Sequence, residues 1–97
     1  MALVIKMDDT AKKIELMRAR YGWQKSDTPL ILAKSVFVEA GELLAAVSKP
    51  DADQGEIMDE VADVLMYAIT LCSDAGLDYR NVIEQKIEKV HQKYGNQ

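Results

Sequence analysis

Apolar residues recur at three- and four-residue intervals along this chain, and no segment alternates strictly between apolar and polar, so the pattern predicts helices throughout. A first helix is expected from about Asp8 or Asp9 to Tyr21, carrying Ala11, Ile14, Leu16, Met17 and Ala19, with Gly22 ending it. The stretch GWQKSD follows as a loop. Thr28 before Pro29 has the form of an N-cap with proline in the first turn, opening a second helix that reaches about Ser48 and is stopped by Pro50. Asp51 or Asp53 opens a third, running to about Ala75 before Gly76, and Asp78 caps a fourth that ends at Gly95. Short connections favour antiparallel neighbours, hence an all-α, compact, four-helix-bundle-like fold.

The second helix is apolar around nearly its whole circumference, with Leu30, Ile31, Leu32, Val36, Phe37, Val38, Leu43, Leu44 and Val47 spread over the helical wheel. Such a helix is expected to be buried. Glu39 and Glu42 interrupt it on one strip. On the third helix Glu56, Glu60, Asp63 and Tyr67 follow spacings of four, three and four and so share a stripe, while Ile57, Val61, Val64, Leu65, Ala68, Ile69 and Cys72 cover the remainder. Taken singly, an acidic pair three residues apart is usually a solvated helix face. Two such pairs on adjacent, mostly apolar helices point instead to acids facing a shared interior. Like charges at these spacings cost roughly 0.2–0.5 kcal/mol per pair, and burying an unpaired carboxylate costs more, so a positive partner is expected.

The chemistry of that partner follows from the ligands on offer. One histidine and one cysteine are too few for a zinc site, and an all-oxygen donor set suits a hard cation, Mg²⁺ or Mn²⁺. Magnesium sites of this kind usually keep waters and use phosphate oxygens, which implies a phosphorylated ligand. A di-iron carboxylate bundle is the other candidate, suggested by Glu88 and His91, and it fails for want of a second histidine.

Composition narrows the class further. The chain has 97 residues, 48% apolar and 29% charged, which fits a single domain over residues 1–97 and no second one. A domain of this size buries only roughly 60–65% of the surface of its unfolded chain, and so is expected to complete its core by homo-oligomerisation, as a homodimer or homotetramer. Its net charge of -4 argues against nucleic acid or an anionic membrane as partner. Cys72 has no intrachain partner, no apolar run approaches a membrane span, and the opening MALVIKMDD lacks the pattern of a signal peptide, so a cytoplasmic location is expected.

The ordered acids resemble the signature of the MazG-like, all-α nucleoside triphosphate pyrophosphohydrolase superfamily, which is marked by Glu-x-x-Glu, a spacer, then Glu-x-x-Asp. Here Glu39-Ala40-Gly41-Glu42 and Glu60-Val61-Ala62-Asp63 occupy those places. GWQKSDTP resembles the Gly-Trp…His-Thr-Pro segment of the subgroup related to dCTP pyrophosphatases, and KIEKVHQKYG resembles its closing segment, so the similarity runs from about Tyr21 to Tyr94. Three positions depart from the pattern: Val38 in place of an additional Glu, Asp27 in place of His, and Val90 in place of Asn. By the family pattern the replaced His and Asn belong to the nucleotide-contacting side and so bear on the substrate, while the four acids are intact.

The resemblance implies hydrolysis of a nucleoside triphosphate to the monophosphate and pyrophosphate, with Mg²⁺, or Mn²⁺, held by Glu39, Glu42, Glu60 and Asp63 and with a house-cleaning role in the nucleotide pool. Glu39 is the candidate to orient the attacking water. Lys86, Lys89 and Lys93 fall on one stripe of the last helix; the family pattern singles out Lys86 and Lys93 for the triphosphate, and Lys89 fits a solvated face equally well. Trp23 is placed either to stack on a base or to anchor the loop, and Tyr67 either to hydrogen-bond the substrate or to close the bundle. Cys72 is expected as a buried thiol and the methionines as core filler. A non-catalytic helical sensor of nucleotide and metal is the rival reading, which binding without pyrophosphate release would favour.

Overall fold

In a computed structural model, which describes residues 7–95, the chain forms five helices: α1 (Asp9–Tyr21), α2 (Trp23–Ser26), α3 (Pro29–Ser48), α4 (Gln54–Asp74) and α5 (Tyr79–Tyr94). The apolar opening segment up to residue 6, read above as too short for a signal peptide, lies outside the described residues. The fold is all-helical, as the periodicity predicts.

Each predicted start is a working cap. Asp8 accepts from the Ala11 amide at 2.8 Å, Thr28 from Ile31 at 3.2 Å with Pro29 in the first turn, Asp53 from Glu56 at 3.1 Å, and Asp78 from Arg80 at 2.9 Å. These oxygens satisfy amides that have no carbonyl partner within the helix. Gly22 ends α1 at φ 73°, a left-handed conformation that side chains with a Cβ disfavour. The sharp turn it makes is followed at once by α2, a single helical turn where the sequence pattern suggested a loop.

The most extensive helix pair is α3 with α4, which turn back on one another through residues 49–53; α1 packs across α4. Buried residues are few: Ala11, Ile14 and Arg18 of α1, Leu32 and Ala46 of α3, and Thr70 of α4. The apolar circumference of α3 is not covered within one chain. Leu30, Phe37, Leu44 and Val47 stand open to solvent, Phe37 at 81% exposure. Helix α5 has no buried residue and meets α4 alone among the helices, although the Tyr79 hydroxyl at its start donates to Asp8. The radius of gyration, 15.9 Å, exceeds the ~13 Å of a compact chain of about 100 residues, in keeping with α5 extending from the body formed by α1–α4 instead of closing over it. The expectation that α3 is buried therefore fails for the isolated chain, since a chain this short supplies too few helices to surround one that is apolar on every side. Among the described residues no helix is long and apolar enough to cross a membrane.

Candidate metal centre and adjoining pocket

Glu39 and Glu42 lie three residues apart on α3, and Glu60 lies on the facing stretch of α4. One carboxylate oxygen from each comes within 4.8 Å of the others. Glu39 and Glu60 are half-buried and Glu42 is exposed, so the cluster opens to solvent on one side only. The Oε2 atoms of Glu39 and of Glu60 are buried and have no hydrogen-bond partner among the described residues. Orphaned oxygens of this kind are rare in folded proteins unless water or an ion completes them.

The electrostatics record the same crowding. The Glu39 carboxyl is pushed up to about 7, first because its protonated form shares a hydrogen bond with Glu42, then through burial and the charges of Glu42, Asp63 and Glu60. Burial and the charges of Glu42 and Asp63 also hold Glu60 above its ordinary value. Three carboxylates with all-oxygen donors and two unsatisfied buried atoms fit a hard divalent cation on their own chemistry. Asp63, three residues along α4 from Glu60, stands outside the tight triplet. It is half-buried, adds its charge to both neighbours, and lines the adjoining cavity. Glu56, at the far end of the acidic stripe, is taken up by Lys49 at 2.6 Å.

That cavity, of about 240 Å³, is enclosed by α1, α2, α3 and α4, with Trp23, Asp27, Leu32, Asp63, Met66 and Tyr67 among its walls. Trp23 packs its ring against Tyr21 with centroids 5.3 Å apart and remains about half exposed, so it has an anchor and an open face together. Burial, and then the charges of Glu39, Asp63 and Asp27, raise the Tyr67 hydroxyl above its ordinary value. Three predicted residues, Glu39, Glu42 and Glu60, thus gather at the α3–α4 seam, and three more, Asp63, Trp23 and Tyr67, line the adjoining cavity. Lys86 and Lys93 are not gathered there. Lys86 borders an apolar groove on α5 with Val82, Ile83, Ile87 and Val90, and Lys93 lies over the Tyr94 ring at 5.2 Å. Cys72 is a free, half-buried thiol, and Met17 and Met66 line the cavity while Met58 is exposed.

Arg18 went unremarked in the sequence pattern. It is 3% exposed and binds three carboxylates: Glu15 at 2.7 Å, Asp27 at 3.1 Å and Asp74 at 2.9 Å. The guanidinium thereby ties α1 to the residue after α2 and to the end of α4, and forms part of the cavity wall. Its signal was present in the spacing, since Arg18 extends the buried stripe of Ala11 and Ile14 by one further turn.

An all-helical body with a carboxylate triplet beside an aromatic-lined cavity belongs to a recognisable class, and comparison with known proteins names it. Residues 32–97 match the MazG-like family, and the chain belongs to that family. The fold is similar to that of a pyrophosphatase from Archaeoglobus fulgidus DSM 4304, with a TM-score of 0.78 and 31% sequence identity over 89% of each chain. A comparison with curated proteins found no match.

Proposed function

We propose that this protein is a divalent-cation-dependent nucleoside triphosphate pyrophosphohydrolase, converting an NTP or dNTP to the monophosphate and pyrophosphate. The observation that carries the reading is the convergence of Glu39, Glu42 and Glu60 within 4.8 Å beside a cavity walled by Trp23 and Tyr67. Membership of the MazG-like family and likeness to a pyrophosphatase support it.

In this reading Glu39, Glu42, Glu60 and Asp63 hold Mg²⁺ or Mn²⁺, which supplies charge neutralisation on the phosphates and a more acidic water. The water oxygen bonds to one of the two phosphorus atoms flanking the α–β bridging oxygen, the bond from that phosphorus to the bridge breaks, and the bridging oxygen departs with the other fragment, giving monophosphate and pyrophosphate. Glu39, the carboxylate at the centre of the cluster, orients the water and accepts its proton. Trp23 stacks on the base and Tyr67 hydrogen-bonds the sugar or an adjacent phosphate. Its task is the clearing of unwanted nucleotides from the cytoplasmic pool.

A second copy of the chain completes the site. The exposed faces of α3 and α5 are apolar over Phe37, Leu44, Ile83 and Ile87, and a homodimer or homotetramer covers them. The same pairing gives Lys86 and Lys93 of a second copy a route to the triphosphate, which they lack within one chain. A nucleotide panel assayed for pyrophosphate with Mg²⁺ or Mn²⁺ tests the activity. Release of pyrophosphate is expected; orthophosphate alone, or no turnover with either metal, defeats it, and nucleotide binding without release assigns a sensor.

A further inference from the structure

The two ends of the cavity differ in chemistry. At one end Asp63 leads to the carboxylate triplet, where a cation makes room for phosphate. At the other, Arg18 is shared among Glu15, Asp27 and Asp74, so three carboxylates surround one guanidinium and the local balance stays negative. Phosphate is repelled from that end. A nucleotide aligned along the cavity therefore sets its base against Trp23 and Asp27.

Asp27 is held for a defined task. Its Oδ2 accepts from both Nε and Nη2 of Arg18, at 3.4 and 3.1 Å, while Oδ1 takes no hydrogen bond among the described residues. The side chain is 18% exposed and lines the cavity. A carboxylate paired with a guanidinium offers lone pairs only, so it rewards a donor and penalises an acceptor set against it.

We propose that Asp27 selects the nucleobase, favouring cytosine and adenine, whose pairing edge carries an exocyclic amino group, over uracil, thymine and hypoxanthine, which carry a carbonyl oxygen at that place. The proposal rests on the nucleotide reading of the cavity given above. Oδ1 accepts from the amino N–H, and Arg18 fixes the carboxylate so that it does not rotate away. Uracil presents a carbonyl oxygen where cytosine has its amino group, and hypoxanthine presents one where adenine has its own. In both, acceptor then meets acceptor.

The test is the ratio of kcat/KM for CTP against UTP and for ATP against ITP, in the wild-type protein and in Asp27→Asn. The amino-bearing member of a pair is expected to be favoured at least roughly tenfold, and the ratio to fall towards one in Asp27→Asn, whose amide also donates. A structural role for Asp27 lowers every substrate alike and leaves the ratios unchanged, which overturns the proposal. Equal turnover of both members by the wild-type protein overturns it without any variant. If no triphosphate is hydrolysed, the hydrolase reading fails by itself, and selectivity is read from quenching of Trp23 fluorescence by CMP, UMP, AMP and IMP. Preference for CMP or AMP that is lost in Asp27→Asn supports base selection; equal binding, or none, overturns it.

Discussion

Arg18 and Asp74 meet in a two-pronged ion pair across 56 residues of sequence, Nη1 to Oδ1 at 2.9 Å and Nη2 to Oδ2 at 3.0 Å. The parallel geometry matches the fork of the guanidinium to the carboxylate and fixes the end of α4 against α1. Because Arg18 is buried, removing it strands three acids around an empty site. Arg18→Leu is expected to cost about 2–4 kcal/mol in urea unfolding at fixed protein concentration, at or just below the low end for breaking a buried pair because the three acids keep some contact with water. Asp74→Asn costs less, about 0.5–1.5 kcal/mol, since Asp74 is a third exposed and water screens what it loses. Equal, small losses in both variants would show that the clamp carries no stability.

The raised Glu39 carboxyl gives the cation-free protein a particular pH dependence. Its folded value, about 7, lies above the ordinary 4.5, so the folded state holds the proton more tightly than the unfolded one. That contribution is complete below about pH 4.5 and is lost as pH rises through about 7. Stability without metal should therefore decline across this window, followed by denaturant midpoints in chelator. Asp8 acts in the opposite sense and lower down: the Tyr79 hydroxyl and the Ala11 amide hold its carboxyl below 3.8, so its contribution is lost only as the solution becomes more acidic than that. Saturating Mg²⁺ should flatten or reverse the Glu39 slope, because the ion competes with the proton for the same oxygens. A profile flat from pH 4.5 to 7 in chelator would refute the coupling.

Local signals were enough for the helices and for the acid cluster. Caps at Asp8, Thr28, Asp53 and Asp78, and the glycine at Gly22, mark boundaries through chemistry confined to one turn, so spacing finds Thr28, Asp78 and Gly22 outright and leaves Asp8 against Asp9 and Asp53 against Asp51 for the structure to decide. Glu39, Glu42, Glu60 and Asp63 stood out because each interrupts an apolar face. Arg18 did not stand out: one cation in a helix rich in Lys and Arg looks solvated until Asp27 and Asp74 come from elsewhere to surround it. The short helix Trp23–Ser26 was hidden for a related reason, since four residues carry no periodicity. The exposure of Phe37 and Ile87 was equally illegible, because an apolar residue looks the same in sequence whether its own chain or another copy covers it.

Neutralising Glu42 separates metal binding from folding. Glu42 is the exposed member of the triplet, so glutamine fits in its place without repacking. Glu42→Gln removes one of the charges that crowd Glu39 and Glu60, and is expected to raise stability without metal by about 0.5–1 kcal/mol. Mg²⁺ affinity should fall at least roughly tenfold in calorimetric titration, and pyrophosphate release should be abolished. A variant that binds Mg²⁺ as tightly as the parent would remove Glu42 from the metal site.

The open apolar faces bear on assembly. Phe37 on α3 and Ile87 on α5 expose side chains that water disfavours, and burying each is worth roughly 1.5–3 kcal/mol. Ile87→Glu or Phe37→Asp should therefore shift the protein towards monomer in light scattering across a dilution series. Secondary structure should hold, because neither position is buried within the chain. If the paired copy supplies Lys86 and Lys93, activity falls with the monomer fraction, and mixing a chain with both lysines changed to alanine with a Glu42→Gln chain restores part of it, since a mixed pair then holds one complete site. A parent protein already monomeric at micromolar concentration, with full turnover, would instead assign the whole site to one chain and leave the two lysines without a role in it.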